Sequence, residues 1–384
     1  MTNEEALKLL KTVINVETVN SNEKGVADIL ETLLNQFNIP TEQVVYNNDP
    51  TRTQLIATIK GTKPGKTIGL SGHMDVVPAG DVAWETDPFT ADERDGKLYG
   101  RGAADMKSGL VAMVAAAIRL KESDGDFNGT LKLVLTNAEE IGLKGAEELA
   151  TEGFVDDIDV MLIGEPTNLE VGVAHKGGLW IEVKTFGQTA HSSKPELGIN
   201  AVDHLLVAIP EIKSIINSEL DKVIDDNLGR STLSLNQFNG GNAINVVPDS
   251  ATALIDIRLV PGIDSQLIVD KINNYLDSLA EKNPQFKGSA KAIVDLSPMS
   301  TDANNPFVDL TKTTVDNVIG TESSLFNMNG ATDAAAFLSH AQFPVLILGP
   351  GSGSEAHQPN EFVEIQQFYD AITIYEKIVS KYLQ

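Results

Sequence analysis

The sequence predicts an α/β protein: a mixed-sheet domain of alternating strands and helices, with a smaller βαββαβ domain inserted into it. Three observations predict this. Strand-length apolar runs alternate with helix-length segments through the first half of the chain. Near residue 178 the order becomes β-α-β-β-α-β, over about 115 residues, the size of a ferredoxin-like module. After that the first pattern resumes and runs to the end.

Taken in order, residues 3–15 and 24–37 carry apolar positions at helical spacing. The runs QLIATIKG (54–61), TIGLSG (67–72), LKLVLT (131–136) and VMLIG (160–164) are strand-length. Runs that are apolar throughout, such as VMLIG, suit strands buried on both faces. Between them, residues 104–122 form a helix that is apolar over most of its surface. In the inserted domain LWIEVKTFG is a strand, 200–217 a helix, STLSLNQFN and ATALIDIRLV a strand pair, 264–282 a helix and 289–296 the last strand. Helices near 306–319 and 331–340, a strand at 345–349 and a helix at 362–382 close the chain. The expected boundaries are 1–177 and 295–384 for the outer domain and 178–294 for the insertion.

The composition excludes several function classes. With 29 basic and 54 acidic residues the 384-residue chain carries a formal charge of −25. That charge repels phosphate backbones and anionic lipid, so neither a nucleic acid nor a membrane is expected as a partner. Cysteine is absent, which excludes disulfides, thiolate metal sites and a cysteine nucleophile. The N-terminus is acidic where a signal peptide is basic, and no apolar run is long enough to span a bilayer. A cytoplasmic location is therefore expected.

Acidic and histidine residues collect where strands end. TIGLSG runs into His73 and Asp75, LKLVLT into Glu139 and Glu140, VMLIG into Glu165, and the strand at 345–349 leads through PGSGSE to His357. Asp105 opens the long helix after Gly100-Arg101-Gly102. Ligands in open α/β sheets bind at the carboxyl ends of strands, so these residues are expected to converge. Four carboxylates in one crevice stay ionised together only with a cation. Two imidazoles among them favour zinc, cobalt or manganese over calcium. Five ligands with one carboxylate shared suit two metals, which leaves one of Glu139 and Glu140 free as a base. Asp75 stands where it can hold the second ring nitrogen of His73. Each feature alone is weak, since a lone histidine at a strand end is usually just hydrogen-bonded. His175, His204 and His340 are read as structural.

Other motifs fail on inspection. Gly100 to Asp105 begins like a dinucleotide fingerprint, but Asp105 puts negative charge where a pyrophosphate would sit. Residues 124–129 begin like a calcium loop, yet Leu135 stands where its twelfth-position glutamate is needed, so a polar turn is expected. There is no HExxH and no G-x-S-x-G elbow, and PGSGSE lacks a P-loop lysine.

The segments SGHMDVVP (71–78), YGRGAADMKSG (99–109), NAEEIG (137–142), GEPT (164–167), GQTAHSS (187–193) and AHQP (356–359) resemble, in order, those of the co-catalytic zinc metallohydrolases. That family comprises aminoacylases, glutamate carboxypeptidases, acetylornithine deacetylases and succinyl-diaminopimelate desuccinylases. The resemblance spans nearly the whole chain and implies a zinc-peptidase-like catalytic domain with a ferredoxin-like lid and dimerisation domain. It implies two zinc ions, for which cobalt substitutes. His73, Asp105 and Glu165 would hold one, and Asp105, Glu140 and His357 the other. Glu139 would be the general base acting on a metal-bridging water, with Asp75 supporting it. The Asp105–Met106 peptide bond would be cis. His191 would donate to the oxyanion across a homodimer. Asn245, Arg258, Thr332 and Lys176 would face the substrate.

The implied reaction is removal of an N-acyl group from an amino acid. The segments are most like those of the desuccinylase branch, whose substrate is N-succinyl-LL-2,6-diaminopimelate, on the way to lysine. Acetylornithine deacetylation and broader N-acyl-amino-acid or dipeptide hydrolysis stand as alternatives, and a metal-binding protein on the same scaffold is the non-enzyme reading.

Overall fold

A computed structural model describes residues 1–123, 127–328 and 330–384. The polar turn expected at 124–129 falls largely outside them, with Asn128 and Gly129 already in a strand. The chain divides into two compact units. One comprises Met1–Ala174, Met299–Met328 and Thr332–Gln384, and the other His175–Pro298 together with Gly330 and Ala331.

The first unit is built on a mixed sheet. Its order is Thr41–Val45, Thr53–Lys60, Asn128–Thr136, Lys63–His73, Val160–Ile163, Val345–Ile347, Val171–His175, Met299–Ser300, with Leu325–Met328 also beside Val171–His175. The four strands from Asn128–Thr136 to Val345–Ile347 run parallel, and Thr41–Val45, Thr53–Lys60 and Val171–His175 pair antiparallel. Among the parallel strands, Val160–Ile163 and Val345–Ile347 are buried on both faces, as their apolar runs require. Helix Lys107–Glu122 is buried all round along its Leu110–Ile118 stretch and packs against helix Ile365–Tyr382. Gly109 permits this. A Cβ there would lie 1.9 Å from the Gly164 carbonyl oxygen, so only glycine lets the helix approach that strand end.

The second unit has the strand order Thr232–Gly240, Ser250–Leu259, Gly177–Phe186, Lys287–Leu296, all antiparallel. With helices Ala201–Leu220 and Ser265–Lys282 this is the ferredoxin-like arrangement. Alternation sets the register: Leu179, Ile181 and Val183 lie opposite Ile257, Ile255 and Ala253, all buried in the core with the helices. Asn200 and Asp264 cap the two helices by accepting backbone N–H groups of the first turn.

Three helices start three residues later than the sequence expectation. The long helix begins at Lys107 rather than 104, because the N–H groups of Ala104 and Asp105 donate to the Glu361 carboxylate. The last helix begins at Ile365, since Phe362–Glu364 pairs as a strand with Lys97–Tyr99. The helix expected from 331 is Ala334–His340. Among the described residues no helix is long and apolar enough to cross a membrane.

Candidate metal centre

Strand register sets the site. Lys63–His73 and Val160–Ile163 are parallel with Ser71 opposite Ile163, so His73 and Glu165 each lie two residues beyond a matched pair. Thr136 lies opposite His73, and the chain then turns through Ala138, at φ 55°, into Glu139 and Glu140. The side chains meet there. His73 Nε2 is 3.1 Å from Asp105 Oδ1 and 3.8 Å from Glu165 Oε1. His357 Nε2 is 3.4 Å from Asp105 Oδ2 and 3.1 Å from Glu140 Oε2. Asp105 thus faces both histidines, one with each oxygen. Ligand-type atoms of His73, Asp105 and Glu140 all lie within 4.8 Å of one another, the spacing of a metal site. The Asp105–Met106 peptide bond is cis.

Both histidines aim Nε2 inward. His73 Nδ1 lies 2.9 Å from the Asp75 backbone carbonyl, which only accepts, so Nδ1 carries the proton and Nε2 offers its lone pair. The Asp75 carboxylate does not make that bond; it stands 3.8 Å from Nδ1. It accepts instead the backbone N–H groups of Glu139 at 3.2 Å and Glu140 at 3.1 Å. Asp75 therefore fixes the turn that presents the two glutamates.

The electrostatics demand a cation. Burial, with Glu165, Asp333 and Glu140 adding repulsion, raises Glu139 well above the ordinary carboxylate range. Burial, with Asp105 adding to it, does the same to Glu165. Burial opposes a charge on His73, but Asp105, Glu165, Glu139 and Asp75 outweigh it and raise that ring. His357, bonded to Asp105 and Glu140, is raised to about 10. Burial also opposes the charge on Asp105, but His357 and His73 hold it below the usual range. Carboxylates that resist ionisation beside imidazoles that hold protons are what a cluster of metal ligands gives on its own. A divalent cation reverses both directions, so the donor set fits one.

Asp333, the residue after the expected Thr332, is buried behind the cluster. Thr136 Oγ1 donates to its Oδ2 at 2.6 Å, and burial raises it to about 7. Arg101 and Glu361, both buried, were missed entirely. Thr332 is buried too; its hydroxyl accepts the Ala334 N–H at 3.3 Å, at the start of a helix.

The other expected site residues belong to the second unit. His191 is exposed, and its Nδ1 accepts the Ser193 N–H at 3.1 Å, which leaves Nε2 as the protonated nitrogen. Asn245 is exposed, and its carbonyl accepts the Ser192 N–H. Lys176 donates to the Arg230 carbonyl at 2.7 Å. Arg258 forks onto Asp256, with Nε 3.2 Å from Oδ1 and Nη2 donating to Oδ2 at 3.2 Å.

The profile of peptidase family M20/M25/M40 matches residues 69–381. The chain belongs to that family. A relative from Staphylococcus epidermidis, named probable succinyl-diaminopimelate desuccinylase, is 35% identical over 100% of this chain and 99% of its own. An acetylornithine deacetylase from Photorhabdus laumondii is 29% identical over 91% of this chain and 88% of its own. Among solved structures, aminopeptidase PepT from Bacillus cereus superposes with a TM-score of 0.79 at 21% identity, covering all of both chains. The YXEP protein of Bacillus subtilis, described as a dinuclear metal-binding peptidase of the M20 family, gives 0.74 at 16% identity over 99% and 98%. This M20 protein is thus a metal-dependent hydrolase acting on amide bonds.

Proposed function

We propose that this M20 enzyme removes the acyl group from an N-acyl amino acid, with N-succinyl-LL-2,6-diaminopimelate as substrate and succinate and LL-diaminopimelate as products. The observation that carries the reaction class is the convergence of His73, Asp105, Glu140 and His357 beside a partly buried Glu139 that, among the described residues, has no cationic side chain of its own. The substrate rests on the full-length relatives named for that activity.

The residues divide the work. His73, Asp105 and Glu165 hold one divalent ion, and Asp105, Glu140 and His357 the other. Zinc is the expected metal and cobalt its substitute. When bound, the ions supply Lewis-acid polarisation of the carbonyl and of a water. Glu139 takes the proton of the attacking water and returns it to the leaving amine nitrogen. Asp75 keeps the Glu139 backbone in place through its N–H. His191 donates from Nε2 to the developing oxyanion. That role assigns residues 175–298 to a lid and the working enzyme to a homodimer. Asn245, Arg258, Lys176 and Thr332 are assigned to the substrate.

A second reading is deacetylation of acetylornithine, or wider N-acyl-amino-acid or dipeptide hydrolysis. The Arg258–Asp256 fork favours it, because a succinyl carboxylate must compete with Asp256 for that guanidinium. The test is a hydrolysis panel on metal-stripped protein with zinc or cobalt restored, run beside Glu139→Ala. Cleavage of the succinyl substrate alone, lost in the variant, supports the first reading. Preference for acetylornithine or dipeptides replaces it with the second. No metal-restored turnover on any member overturns both.

A further inference from the structure

Asp105 and His357 come from segments far apart in the chain, and a buried ion pair joins those segments. Arg101 stands four residues before Asp105, and Glu361 four residues after His357. The two are 260 residues apart in sequence, and Arg101 Nη1 donates to Glu361 Oε2 at 2.5 Å. Arg101 is 1% exposed and Glu361 not at all. Burying an arginine and a glutamate together costs more than packing two apolar residues there, so stability alone is a poor reason for the pair.

Its contacts supply a better one. Glu361 Oε1 accepts the backbone N–H of Ala104 at 2.8 Å and of Asp105 at 2.9 Å. The Glu361 carbonyl accepts the Gly100 N–H at 3.0 Å. Arg101 Nη1 also donates to the Gln358 carbonyl at 3.3 Å, the residue after His357. Its Nη2 donates to the Pro78 carbonyl at 3.2 Å, on the segment that leaves His73. Trp84 covers the guanidinium, 5.0 Å from its ring centre. One fork of planar donors thus touches the backbone of two ligand-bearing segments, and its carboxylate partner holds the third by the peptide of Asp105 itself.

We infer that Arg101 and Glu361 are positioning residues of the metal centre, setting the distance between Asp105 and the two histidines. This rests on the reading of Asp105 and His357 as ligands. The pair touches no substrate and acts only through the backbone it holds. Loss of groups that orient ligands costs metal affinity about 10–100-fold.

The experiment is titration of the metal-stripped, full-length protein with Co(II), read by visible absorption and by the melting shift the metal produces. Glu361→Gln keeps the shape, but its single amide oxygen serves either the two backbone N–H groups or Arg101, and its N–H₂ faces the other. Arg101→Lys keeps the charge balance and gives up the fork. Either folded variant is expected to bind Co(II) about 10–100-fold more weakly, with an altered absorption spectrum and a smaller metal-induced melting shift. If Glu361→Gln fails to fold, Arg101→Lys decides by the same readouts. A pair that only holds the fold lowers the melting point of stripped and loaded protein alike and leaves the cobalt titration and spectrum unchanged; that result overturns the inference. Asp105→Asn is the control. If it too binds Co(II) normally, the ligand reading itself fails.

Discussion

The two units treat carboxylates in opposite ways. In the first, burial raises Glu139, Glu165, Asp333 and Glu361, and among the described contacts only Glu361 has a cationic side chain to itself, Arg101. In the second, Lys222 and Lys271 lower Glu219, and Lys184 and Lys291 lower Glu182. In the second unit Glu182 and Glu219 are each neutralised by two lysines. In the first unit Glu139, Glu165 and Asp333 are gathered, buried and left to repel each other. Such an arrangement works against the fold, and it persists where the gathered charge serves a bound cation. The contrast separates acids that hold structure from acids that do chemistry.

The sharpest way to break that contrast is at Glu139. Glu139→Gln is expected to lower kcat about 1,000-fold, in the range for loss of a general base. The same change removes a carboxylate whose ionisation burial opposes, so it is expected to raise the melting temperature of metal-stripped protein at pH 7. Hydrolysis rates and calorimetry on one preparation test both. A variant that is inactive and also less stable would place Glu139 with the structural acids.

The second unit answers to packing instead. Ile181 is fully buried opposite Ile255, between the sheet and the two helices. Ile181→Ala is expected to cost about 2–5 kcal/mol in denaturant unfolding. Its cobalt affinity should match that of the unsubstituted protein, because the ligands belong to the other unit. A tenfold loss of metal affinity would show that the two kinds of work are not divided as the electrostatics suggest.

How much of this was visible in the sequence follows the same division. The convergence of the candidate ligands was legible because most of them follow strands of one sheet, whose ends must meet. The ferredoxin-like order was legible because each of its elements is long and periodic. What stayed hidden depends on partners that no local pattern announces. Arg101 and Glu361 are each ordinary surface residues by type, and only the fold brings them together. Asp75 was expected to grip His73 through its carboxylate, but the strand exit brings its carbonyl to that nitrogen and its carboxylate to the Glu139 and Glu140 amides. The helix start at Lys107 moved for a similar reason, since Glu361 takes the amides of Ala104 and Asp105. Short strands such as Asp92–Arg94 and Lys97–Tyr99 are too brief for an alternating pattern to show.

Metal removal sharpens the comparison over pH. Glu139, Glu165, Asp333, Glu361, His73 and His357 are all raised, with Asp333 and Glu361 at about 7 and His357 at about 10. At these six groups the folded, stripped protein binds more protons than the unfolded chain, so their contribution to stability falls as pH rises above about 4; His175, lowered by burial to about 4, and Lys107, lowered by burial to about 7, act in the opposite sense. Asp105 has the opposite sign, and its contribution is lost only as pH falls below the ordinary aspartate value of 3.8. Stripped protein is expected to melt on the order of 5 °C lower at pH 8 than at pH 5. Metal-loaded protein should show a flatter profile, because the cation holds the carboxylates ionised at both pH values. A stripped protein whose melting point climbs over that interval would contradict the electrostatic picture of the site.

The smallest effect is the most direct check on the other half of the contrast. Glu219 lies at the end of helix Ala201–Leu220, donated to by Lys222 at 2.5 Å and by Lys271 of helix Ser265–Lys282. It joins the two helices that cover the second unit's sheet. Its folded value is lowered from 4.5, so its contribution is complete above that value and disappears as pH falls through the lowered one. Glu219→Gln is expected to cost about 0.5–1 kcal/mol at pH 7, because solvent screens a pair of this kind. The cost should shrink as pH falls through the lowered value, where the native carboxylate is itself protonated. Added salt should reduce it at neutral pH as well. Glu139 of the first unit is expected to behave in the reverse sense, its removal stabilising the stripped protein at neutral pH. One pair of unfolding curves at two pH values, for Glu219→Gln and Glu139→Gln side by side, therefore tells whether an acid in this molecule belongs to the fold or to the site.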